Sequence, residues 1–364
     1  MFSGADLAFM TRALALTERG RNTATPNPNV GCVLVKDGRV IGEGWHARAG
    51  EPHAEARALA AATEPAEGAT AYVTLEPCAH QGRTGPCVEL LINAKVARVV
   101  AALEDPNPLV KGKGAERLRA AGIKVDMGLM AGEAAEAHRG FLARMSRGRP
   151  WMRIKAAASL DGRIALANGA SRWITGEDAR RDVHALRARS CAMLTGIGTV
   201  LADDPELTVR HVPCARQPKR YVIDHRLEMP LDAKLLQGDP ITILTVAPDP
   251  AKRAALAAKG AEVVEVPRAG DKGDKADLMA VARLLAERGC NEVTVETGGK
   301  LAGSLLAAGV IDEIVLYLAP TILGDKAQPL FVLPDLTRLE DAPRPKVVDV
   351  RTFGEDVRIT ARFA

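Results

Sequence analysis

Aromatic residues are scarce in this sequence and make up 3% of its 364 residues. Proteins that bind single-stranded nucleic acid stack its bases on aromatic side chains. Proteins that bind phosphate backbones or anionic surfaces carry dense basic patches. Here the formal net charge is only +4, and no dense block of Lys and Arg is present. We therefore expect no nucleic-acid partner.

Long hydrophobic runs are also missing. No apolar stretch approaches the roughly 20 residues that cross a bilayer. The N-terminal segment carries Asp6, Arg12 and Glu18 within its apolar pattern, whereas a secretory signal has an uncharged core. These features predict a cytoplasmic protein without a membrane partner.

Cysteine is infrequent, with six residues in the chain. So few cysteines in so long a chain do not make a disulfide framework, and a reducing compartment keeps thiols free. We therefore expect the cysteines to be metal ligands or core residues.

The chain is longer than a single hydrophobic core usually allows, which predicts two domains. Segments typical of strands and helices alternate in both halves, as in layered α/β domains with partly parallel sheets. The first half opens with an amphipathic helix near residues 6–19 and a hairpin around Asp37-Gly38. A basic, polar stretch at residues 146–150 marks the boundary, so the predicted domains are 1–148 and 149–364.

The strongest local signal is the triplet HAE at residues 53–55, followed by proline–cysteine pairs at Cys78 and Cys87. Zinc deaminases combine H-x-E with P-C-x-x-C; one histidine and two cysteines bind the metal, and the glutamate is not a ligand. Three ligands leave the fourth tetrahedral position open, where zinc lowers the pKa of water toward neutrality. We predict zinc ligation by His53, Cys78 and Cys87, and proton transfer by Glu55.

The cysteine spacing departs from that signature, because eight residues rather than two separate Cys78 from Cys87. Glycine and proline within residues 79–86 suit a tight loop that brings Cys87 to the start of a helix near Cys78. Two alternatives stay open at this point. These residues could be ordinary core and surface positions, or they could hold a structural zinc with His80 or Cys32 as fourth ligand, which would leave Glu55 without a task.

Several longer segments add to this spacing. In the first half they are residues 25–33 (TPNPNVGCV), 53–55 (HAE) and 76–87 (EPCAHQGRTGPC). In the second half they are residues 155–163 (KAAASLDGR), 171–175 (SRWIT) and 199–210 (TVLADDPELTVR). In this order they resemble the bifunctional riboflavin-biosynthesis deaminase–reductase family, which shows the same eight-residue gap. The resemblance spans nearly the whole chain and implies a cytidine-deaminase-like three-layer α/β/α domain followed by a dihydrofolate-reductase-like α/β domain.

The resemblance implies two consecutive reactions. The first domain, with one zinc ion, would hydrolyse the 2-amino group of 2,5-diamino-6-(5-phosphoribosylamino)pyrimidin-4-one, giving 5-amino-6-(5-phosphoribosylamino)uracil and ammonia. The second would reduce the ribosyl side chain to ribityl with NADPH. The implied substrate contacts of the deaminase are Asn27, His46, His80 and Arg83, with Arg83 facing the phosphate.

Physical signals are weaker in the second half. Gly298-Gly299 precedes a helix predicted from Leu301, and a helix start offers free N–H groups and a positive dipole end to a phosphate. Residues 195–199 (TGIGT) end a strand with small side chains, which permits close approach of a ligand. Neither is a G-x-G-x-x-G fingerprint, and a strand-end glycine turn without a ligand stays open as the alternative.

The resemblance assigns roles in this half as well. The implied NADPH contacts are Ala157, Trp173, Thr199, Asp203, Gly298, Gly299, Lys300, Leu301, Ala302, Gly303 and Ser304. The implied substrate contacts are Lys155, Ser171, Arg187, Glu206, Arg210 and Glu296, of which the arginines suit a phosphate by charge and bidentate geometry. Two departures stand out. Thr297 intervenes between Glu296 and Gly298, which leaves the register of the phosphate loop open, and His225 stands where a small hydroxyl residue is expected.

Two other functions stay open. A cytidine- or tRNA-type base deaminase fused to an unrelated reductase would use the same zinc ligands, although the small net charge argues against a nucleic-acid substrate. A structural zinc module that binds a partner protein would not need Glu55. We predict the two-step enzyme for a small phosphorylated pyrimidine, and leave assembly into a homo-oligomer open.

Overall fold

The computed structural model describes residues 2–80, 85–108, 110–246, 249–270 and 273–363. The chain divides into two compact units, Met1–Gly148 and Arg149–Ala364. None of the helices in the described ranges is long and apolar enough to span a lipid bilayer. Each unit has its own sheet and core.

The first unit is a sheet covered by helices. Its helices are α1 (Gly4–Gly20), α2 (Ala54–Ala60), α3 (Cys87–Asn93), α4 (Lys113–Ala120) and α5 (Ala131–Arg147). Its strands are β1 (Gly31–Lys36), β2 (Arg39–Trp45), β3 (Thr70–Val73), β4 (Arg98–Ala101) and β5 (Lys124–Met127). Within the described residues the strand order is β2-β1-β3-β4-β5. The strand β1 pairs antiparallel with β2 and β3, whereas β3, β4 and β5 run parallel.

Alternating side chains of β1 supply the two faces of this sheet. Val33 and Val35 pack in a core with α1 and the start of α5. Cys32 and Leu34 pack in a second core with α2, α3 and α4. The result is the three-layer α/β/α arrangement that the family resemblance implies.

Two glycines of β2 bring α2 directly onto the strand. A Cβ atom at Gly44 would lie 2.2 Å from the carbonyl oxygen of Ala54, and one at Gly42 would lie 2.3 Å from that of Ala58. No side chain fits at either position, so the backbones of β2 and α2 are in contact. This contact fixes the start of α2, which follows His53.

The buried His138 of α5 makes the stability of the first unit depend on pH. Its side chain is 1% exposed, and its Nε2 lies 3.0 Å from Oγ1 of Thr74. Burial lowers the pKa of His138 to about 4, so the folded protein binds this proton less readily than the unfolded chain. The contribution to stability is therefore complete above the unfolded pKa, about 6.5, and declines as the pH falls toward the folded value.

We expect wild type to lose about 2 kcal/mol of unfolding free energy between about pH 7.5 and pH 5, relative to His138→Gln. The glutamine amide can replace Nε2 as partner of Thr74 but does not titrate. Urea unfolding of both proteins at the two pH values measures the difference. The same loss in both proteins would contradict this role of His138.

The second unit is a larger sheet covered on both faces. Its helices are α6 (Glu177–Arg189), α7 (Ile197–Asp203), α8 (Pro250–Ala258), α9 (Leu278–Glu287) and α10 (Gly299–Ala307), with 3₁₀ turns at Lys234–Leu236 and Leu339–Asp341. Its strands are β6 (Trp151–Ser159), β7 (Arg163–Ala165), β8 (Ala192–Gly196), β9 (Lys219–Ile223), β10 (Ile241–Thr245), β11 (Glu262–Glu265), β12 (Glu292–Val295), β13 (Glu313–Ala319), β14 (Gln328–Pro329), β15 (Lys346–Phe353) and β16 (Asp356–Arg362). Over the described ranges the main sheet has the order β11-β10-β9-β8-β12-β6-β13-β16-β15, and β14 pairs with β7.

Parallel pairing dominates this sheet. The strands from β11 to β13 run parallel, and β16 and β15 then add antiparallel at one edge. In β8, Leu194 packs in a core with α9 and α10, whereas Met193 packs in another with α7 and α8. The carboxyl ends of the parallel strands therefore meet along one edge of the sheet, where open α/β sheets bind their ligands.

Candidate active sites

In the first unit, α2 places two functional side chains at its start. His53 occupies the N-cap position with extended backbone, and Glu55 lies in the first turn. The Glu55 side chain points into the protein and is 4% exposed. The histidine and the glutamate are thus held on one rigid element that is fixed against β2.

The two cysteines lie next to His53 in the folded chain. Cys78 lies in the loop after β3, and Cys87 is the first residue of α3. The Nδ1 atom of His53 lies 3.2 Å from Sγ of Cys87 and 3.5 Å from Sγ of Cys78. All three ligand atoms lie within 4.8 Å of one another, although eight residues separate the cysteines.

This group fits a zinc ion. Ligand atoms about 2.0–2.3 Å from a tetrahedral zinc lie roughly 3.5 Å apart, close to the observed separations. In the described part of the chain, this is the one group of three or more His, Cys, Asp or Glu side chains with metal-ligand spacing, and neither His80 nor Cys32 belongs to it. Among the described residues the group thus offers three ligand atoms, the number that a catalytic zinc site has, and no fourth one of the kind that a structural site needs.

The pKa shifts of Cys78 and Glu55 indicate different roles for these two side chains. Hydrogen bonds from the Cys87 thiol, from His53 and from the Cys87 backbone N–H lower the pKa of Cys78 and favour its thiolate. Burial raises the pKa of Glu55 to about 7, and the negative charge of Cys78 acts in the same direction. A carboxyl group with this pKa gains and loses a proton near neutral pH.

Two of the predicted substrate residues form a pair beside the ligand group. The amide Nδ2 of Asn27 lies 3.0 Å from Nε2 of His46, and Nδ1 of His46 lies 3.3 Å from the carbonyl oxygen of Pro52. A carbonyl only accepts, so Nδ1 carries the proton and Nε2 accepts from Asn27. His46 is 2% exposed, and its ring meets that of His53 edge-on at 5.0 Å. His46 is therefore a buried hydrogen-bond partner of Asn27.

His80 follows Cys78 by two residues. Its Nδ1 atom is buried and has no hydrogen-bond partner in the described structure. A buried polar atom without a partner is costly, and a bound ligand would satisfy it. Arg83, the remaining predicted substrate residue of this unit, lies outside the described residues.

In the second unit, three predicted substrate residues form a charged cluster at the carboxyl edge. Glu296 follows β12, Arg187 lies in α6 and Lys155 lies in β6. The guanidinium of Arg187 donates to both carboxylate oxygens of Glu296, at 2.7 and 2.8 Å. Burial would raise the pKa of Glu296, but the positive charges of Arg187 and Lys155 outweigh it and lower the pKa to about 2.

Glu206 and Arg210 lie together on the loop after α7. They form an ion pair, and both side chains are 45% exposed. The backbone of this loop is tied to α6, because Nη1 of Arg187 donates to the carbonyl oxygen of Thr208 at 2.9 Å. The guanidinium of Arg187 is thus hydrogen-bonded to other groups of the protein, whereas the guanidinium of Arg210 is accessible to solvent.

Comparison with known proteins matches both units. Residues 4–103 match the cytidine and deoxycytidylate deaminase zinc-binding region, and residues 150–359 match the RibD C-terminal domain. The chain is 48% identical to the riboflavin biosynthesis protein RibD of Escherichia coli strain K12, covering 97% of this chain and 98% of that protein.

The chain belongs to the RibD family.

Solved structures agree with this family assignment. RibD of Acinetobacter baumannii, form 1, is 44% identical with a TM-score of 0.91, covering 98% of each chain. A diaminohydroxyphosphoribosylaminopyrimidine deaminase/5-amino-6-(5-phosphoribosylamino)uracil reductase of Thermotoga maritima is 32% identical with a TM-score of 0.86, covering 99% of each chain. The predicted two-domain α/β fold class is confirmed.

As a RibD protein, this chain is a bifunctional enzyme of riboflavin biosynthesis that contains a deaminase and a reductase domain. The deaminase domain is of the zinc-binding type, and the RibD reductase domain uses NADPH. The main functional prediction is therefore confirmed over the alternative of an unrelated fused reductase. The assignment of individual residues remains a prediction.

Among the predicted NADPH contacts of this RibD chain, Thr199 and Gly298 meet directly. The N–H of Gly298 donates to Oγ1 of Thr199 at 3.3 Å, and Oγ1 of Thr297 lies 3.5 Å from the same atom. Gly298 is the N-cap of α10, and Lys300 lies in its first turn. Thr297, which stands between Glu296 and the two glycines, thus joins the start of α10 to α7.

Two glycines of α10 have a packing role. A Cβ atom at Gly299 would lie 2.4 Å from the carbonyl oxygen of Pro329, and one at Gly303 would lie 1.9 Å from that of Val332. The segment 329–332 therefore crosses the face of α10. Leu301 and Ala302 pack in the core, and Ser304 is exposed, with its hydroxyl donating to the carbonyl oxygen of Lys300.

The remaining predicted residues of the reductase lie around the same edge. Ala157 lies two residues after Lys155 in β6, and Asp203 ends α7. Ser171 lies in the loop before α6. Trp173 on this loop is 71% exposed and lies 4.7 Å from the guanidinium of Arg180. An exposed tryptophan at a ligand-binding edge suits contact with a flat ring.

Sequence inspection missed Glu76 and Asp105 in the deaminase unit. The Glu76 carboxylate accepts backbone N–H groups from Asp105, Gly112 and Ala115 at 3.0–3.2 Å. It thereby holds the loop after β4 beside Cys78. Asp105 is buried, and its burial raises its pKa to about 6. Its position in a DPNP sequence just beyond a parallel strand was the available signal.

Proposed function

We propose that residues 1–148 hydrolyse the 2-amino group of 2,5-diamino-6-(5-phosphoribosylamino)pyrimidin-4(3H)-one and release ammonia. Residues 149–364 then reduce the ribosyl side chain of the product, 5-amino-6-(5-phosphoribosylamino)uracil, to ribityl. The single observation that carries the deaminase proposal is a buried carboxyl group, Glu55, next to a three-ligand metal group. This arrangement suits catalysis, whereas a structural zinc site would not need the carboxyl group.

His53, Cys78 and Cys87 would hold the zinc ion. When bound, zinc supplies an activated water at neutral pH. Glu55 would accept a proton at its carboxylate and deliver it to the departing amine, and its pKa of about 7 supports both steps.

Asn27, His80 and Arg83 would bind the substrate. Asn27 is oriented by the buried His46, and Nδ1 of His80 has no hydrogen-bond partner among the described residues. Arg83 carries a positive charge for the phosphate. We propose that His46 contributes to binding mainly by fixing the orientation of Asn27.

In the reductase, NADPH supplies hydride when bound. Thr199, Gly298 and Lys300 at the start of α10, with Ala157, Trp173 and Asp203, would form the cofactor site. Glu296 is ionised between Arg187 and Lys155, so its carboxylate accepts hydrogen bonds from ribosyl hydroxyl groups. Lys155 and Ser171 would contact the same substrate. Arg210 would bind its phosphate, because the ion pair of Arg210 with Glu206 is exposed, whereas Arg187 holds both carboxylate oxygens of the largely buried Glu296.

We further propose that the enzyme works in the cytoplasm. The cysteines of the described residues are free thiols, and the metal group needs Cys78 and Cys87 reduced. A reducing compartment keeps them so.

Supplying the purified enzyme with the diaminopyrimidine phosphate and NADPH tests the two-step order. We expect ammonia to appear first and NADP⁺ to follow after a lag. Without NADPH, ammonia release should continue and the aminouracil phosphate should accumulate. Ammonia from cytidine or tRNA, with none from the diaminopyrimidine phosphate, would contradict the proposal.

A further inference from the structure

The loop at residues 206–210 has no regular secondary structure, but side chains from outside the loop hold its backbone. Arg187 donates to the carbonyl oxygen of Thr208 at 2.9 Å. Gln217 accepts from the N–H of Val209 at 2.8 Å and donates to its carbonyl oxygen at 3.0 Å. The N–H of Arg210 donates to Nδ1 of His184 at 3.1 Å. The two peptide units that join Thr208 to Val209 and Val209 to Arg210 are thus held by side chains from outside the loop.

His184 is the one buried side chain among these three hydrogen-bond partners of the loop. It lies in α6, one turn before Arg187, and is 5% exposed. The ring of His211 covers it edge-on at 4.5 Å. Since a backbone N–H only donates, Nδ1 of His184 must be unprotonated, which leaves the ring proton on Nε2. Burial, together with the charge of Arg187, lowers the pKa of His184 to about 4, so the neutral form is the stable one.

The hydrogen bond to His184 is made by the backbone of Arg210, and Arg210 is the one cationic residue of the loop at residues 206–210. The Arg210 guanidinium is 45% exposed, and its partner Glu206 is equally exposed. A cation in this situation can exchange an exposed carboxylate for a phosphate with little cost, because a guanidinium binds both in bidentate fashion. The direction in which the side chain leaves the loop depends on the backbone of Arg210, which His184 fixes.

We propose that His184 is a positioning residue of the reductase, which holds the Arg210 backbone so that the guanidinium meets the phosphomonoester of the substrate. The inference rests on the proposed function, in which Arg210 binds that phosphate. His184 itself touches neither substrate nor cofactor. It acts through one hydrogen bond, so its loss should weaken recognition of the phosphate and leave hydride transfer intact.

The test compares the phosphorylated aminouracil substrate with its dephosphorylated riboside, using NADPH oxidation. His184→Leu removes the acceptor at similar volume. We expect the KM for the phosphorylated substrate to rise roughly tenfold, which is the effect of one lost buried hydrogen bond. We expect kcat and the Kd for NADPH to stay within about twofold, so the preference for the phosphorylated substrate falls by the same factor.

Two polar variants separate the hydrogen bond from general packing. In His184→Asn the amide oxygen occupies the place of Nδ1 and should restore most of the preference. In His184→Gln the amide extends to the place of Nε2 and should behave like His184→Leu, which also covers the case in which the leucine variant fails to fold. A matched control is His225→Leu, because Nδ1 of His225 accepts from the N–H of Ala276 at 3.2 Å, away from this loop. It should keep the phosphate preference.

Arg210→Ala distinguishes failure of this inference from failure of the proposed function. If Arg210→Ala leaves the phosphate preference unchanged, the assignment of Arg210 is wrong and the inference falls with it. If Arg210→Ala removes the preference but His184→Leu and His184→Gln keep it, only the inference is overturned. Equal losses for both substrates, or no rescue by His184→Asn, would likewise overturn it, since either result indicates a purely structural role.

Discussion

Glu55→Gln should lower the rate of deamination by about a thousandfold. Glutamine keeps the size and hydrogen-bonding capacity of the side chain but cannot take up a proton. Glu55 is not one of the three grouped metal ligands, so zinc content should remain near one ion per chain. Ammonia release and metal analysis measure the two effects, and NADPH oxidation with the aminouracil phosphate should be unchanged because the reductase residues belong to the other unit.

Glu51→Gln is the matched control for this substitution. Glu51 lies four residues earlier, pairs with Arg57 at 2.6 Å and is 42% exposed, so its loss should change deamination little. Near-normal deamination by Glu55→Gln would remove Glu55 from the mechanism. Loss of zinc in that variant would instead assign Glu55 to metal retention.

Gly44→Ala should abolish zinc binding and deamination together. The added Cβ would lie 2.2 Å from the carbonyl oxygen of Ala54 and 2.5 Å from the backbone nitrogen of Ala58. Both contacts are with backbone, so no side-chain rotation relieves them and α2 must move. Because His53 and Glu55 lie at the start of α2, their placement moves with it. We expect a loss of stability of about 1–3 kcal/mol and zinc well below one ion per chain.

Gly132→Ala provides the comparison for Gly44→Ala. Gly132 lies in α5, and no atom would come within 4 Å of its Cβ. Alanine is favoured over glycine in a helix by up to about 1 kcal/mol, so zinc content and deamination should be unchanged. Normal zinc content in Gly44→Ala would contradict the prediction, because it would show that the metal group is kept although α2 has to move.

Much of the fold could be predicted from local patterns. The sequence predicts a helix at residues 177–189 and a strand at residues 313–319, and the structure has α6 and β13 there. Local patterns do not predict α5, because its N-cap Met130 provides no side-chain hydrogen bond and leaves no capping signal. They do not predict β15 either, since most of its side chains are exposed and show no alternation of buried and exposed positions.

The zinc ligands and the role of Glu55 can be predicted from the sequence, because these residues lie in two short segments whose spacing reflects the local geometry of one metal site. The protonation of each charged group, in contrast, depends on its neighbours in the folded chain. Glu55 and Glu296 have the same side chain, yet the pKa is raised to about 7 in one and lowered to about 2 in the other. Burial acts on both, but folding places Arg187 and Lys155 beside Glu296 and the negative charge of Cys78 beside Glu55. Such pairings join residues far apart in the chain, so no local pattern contains them.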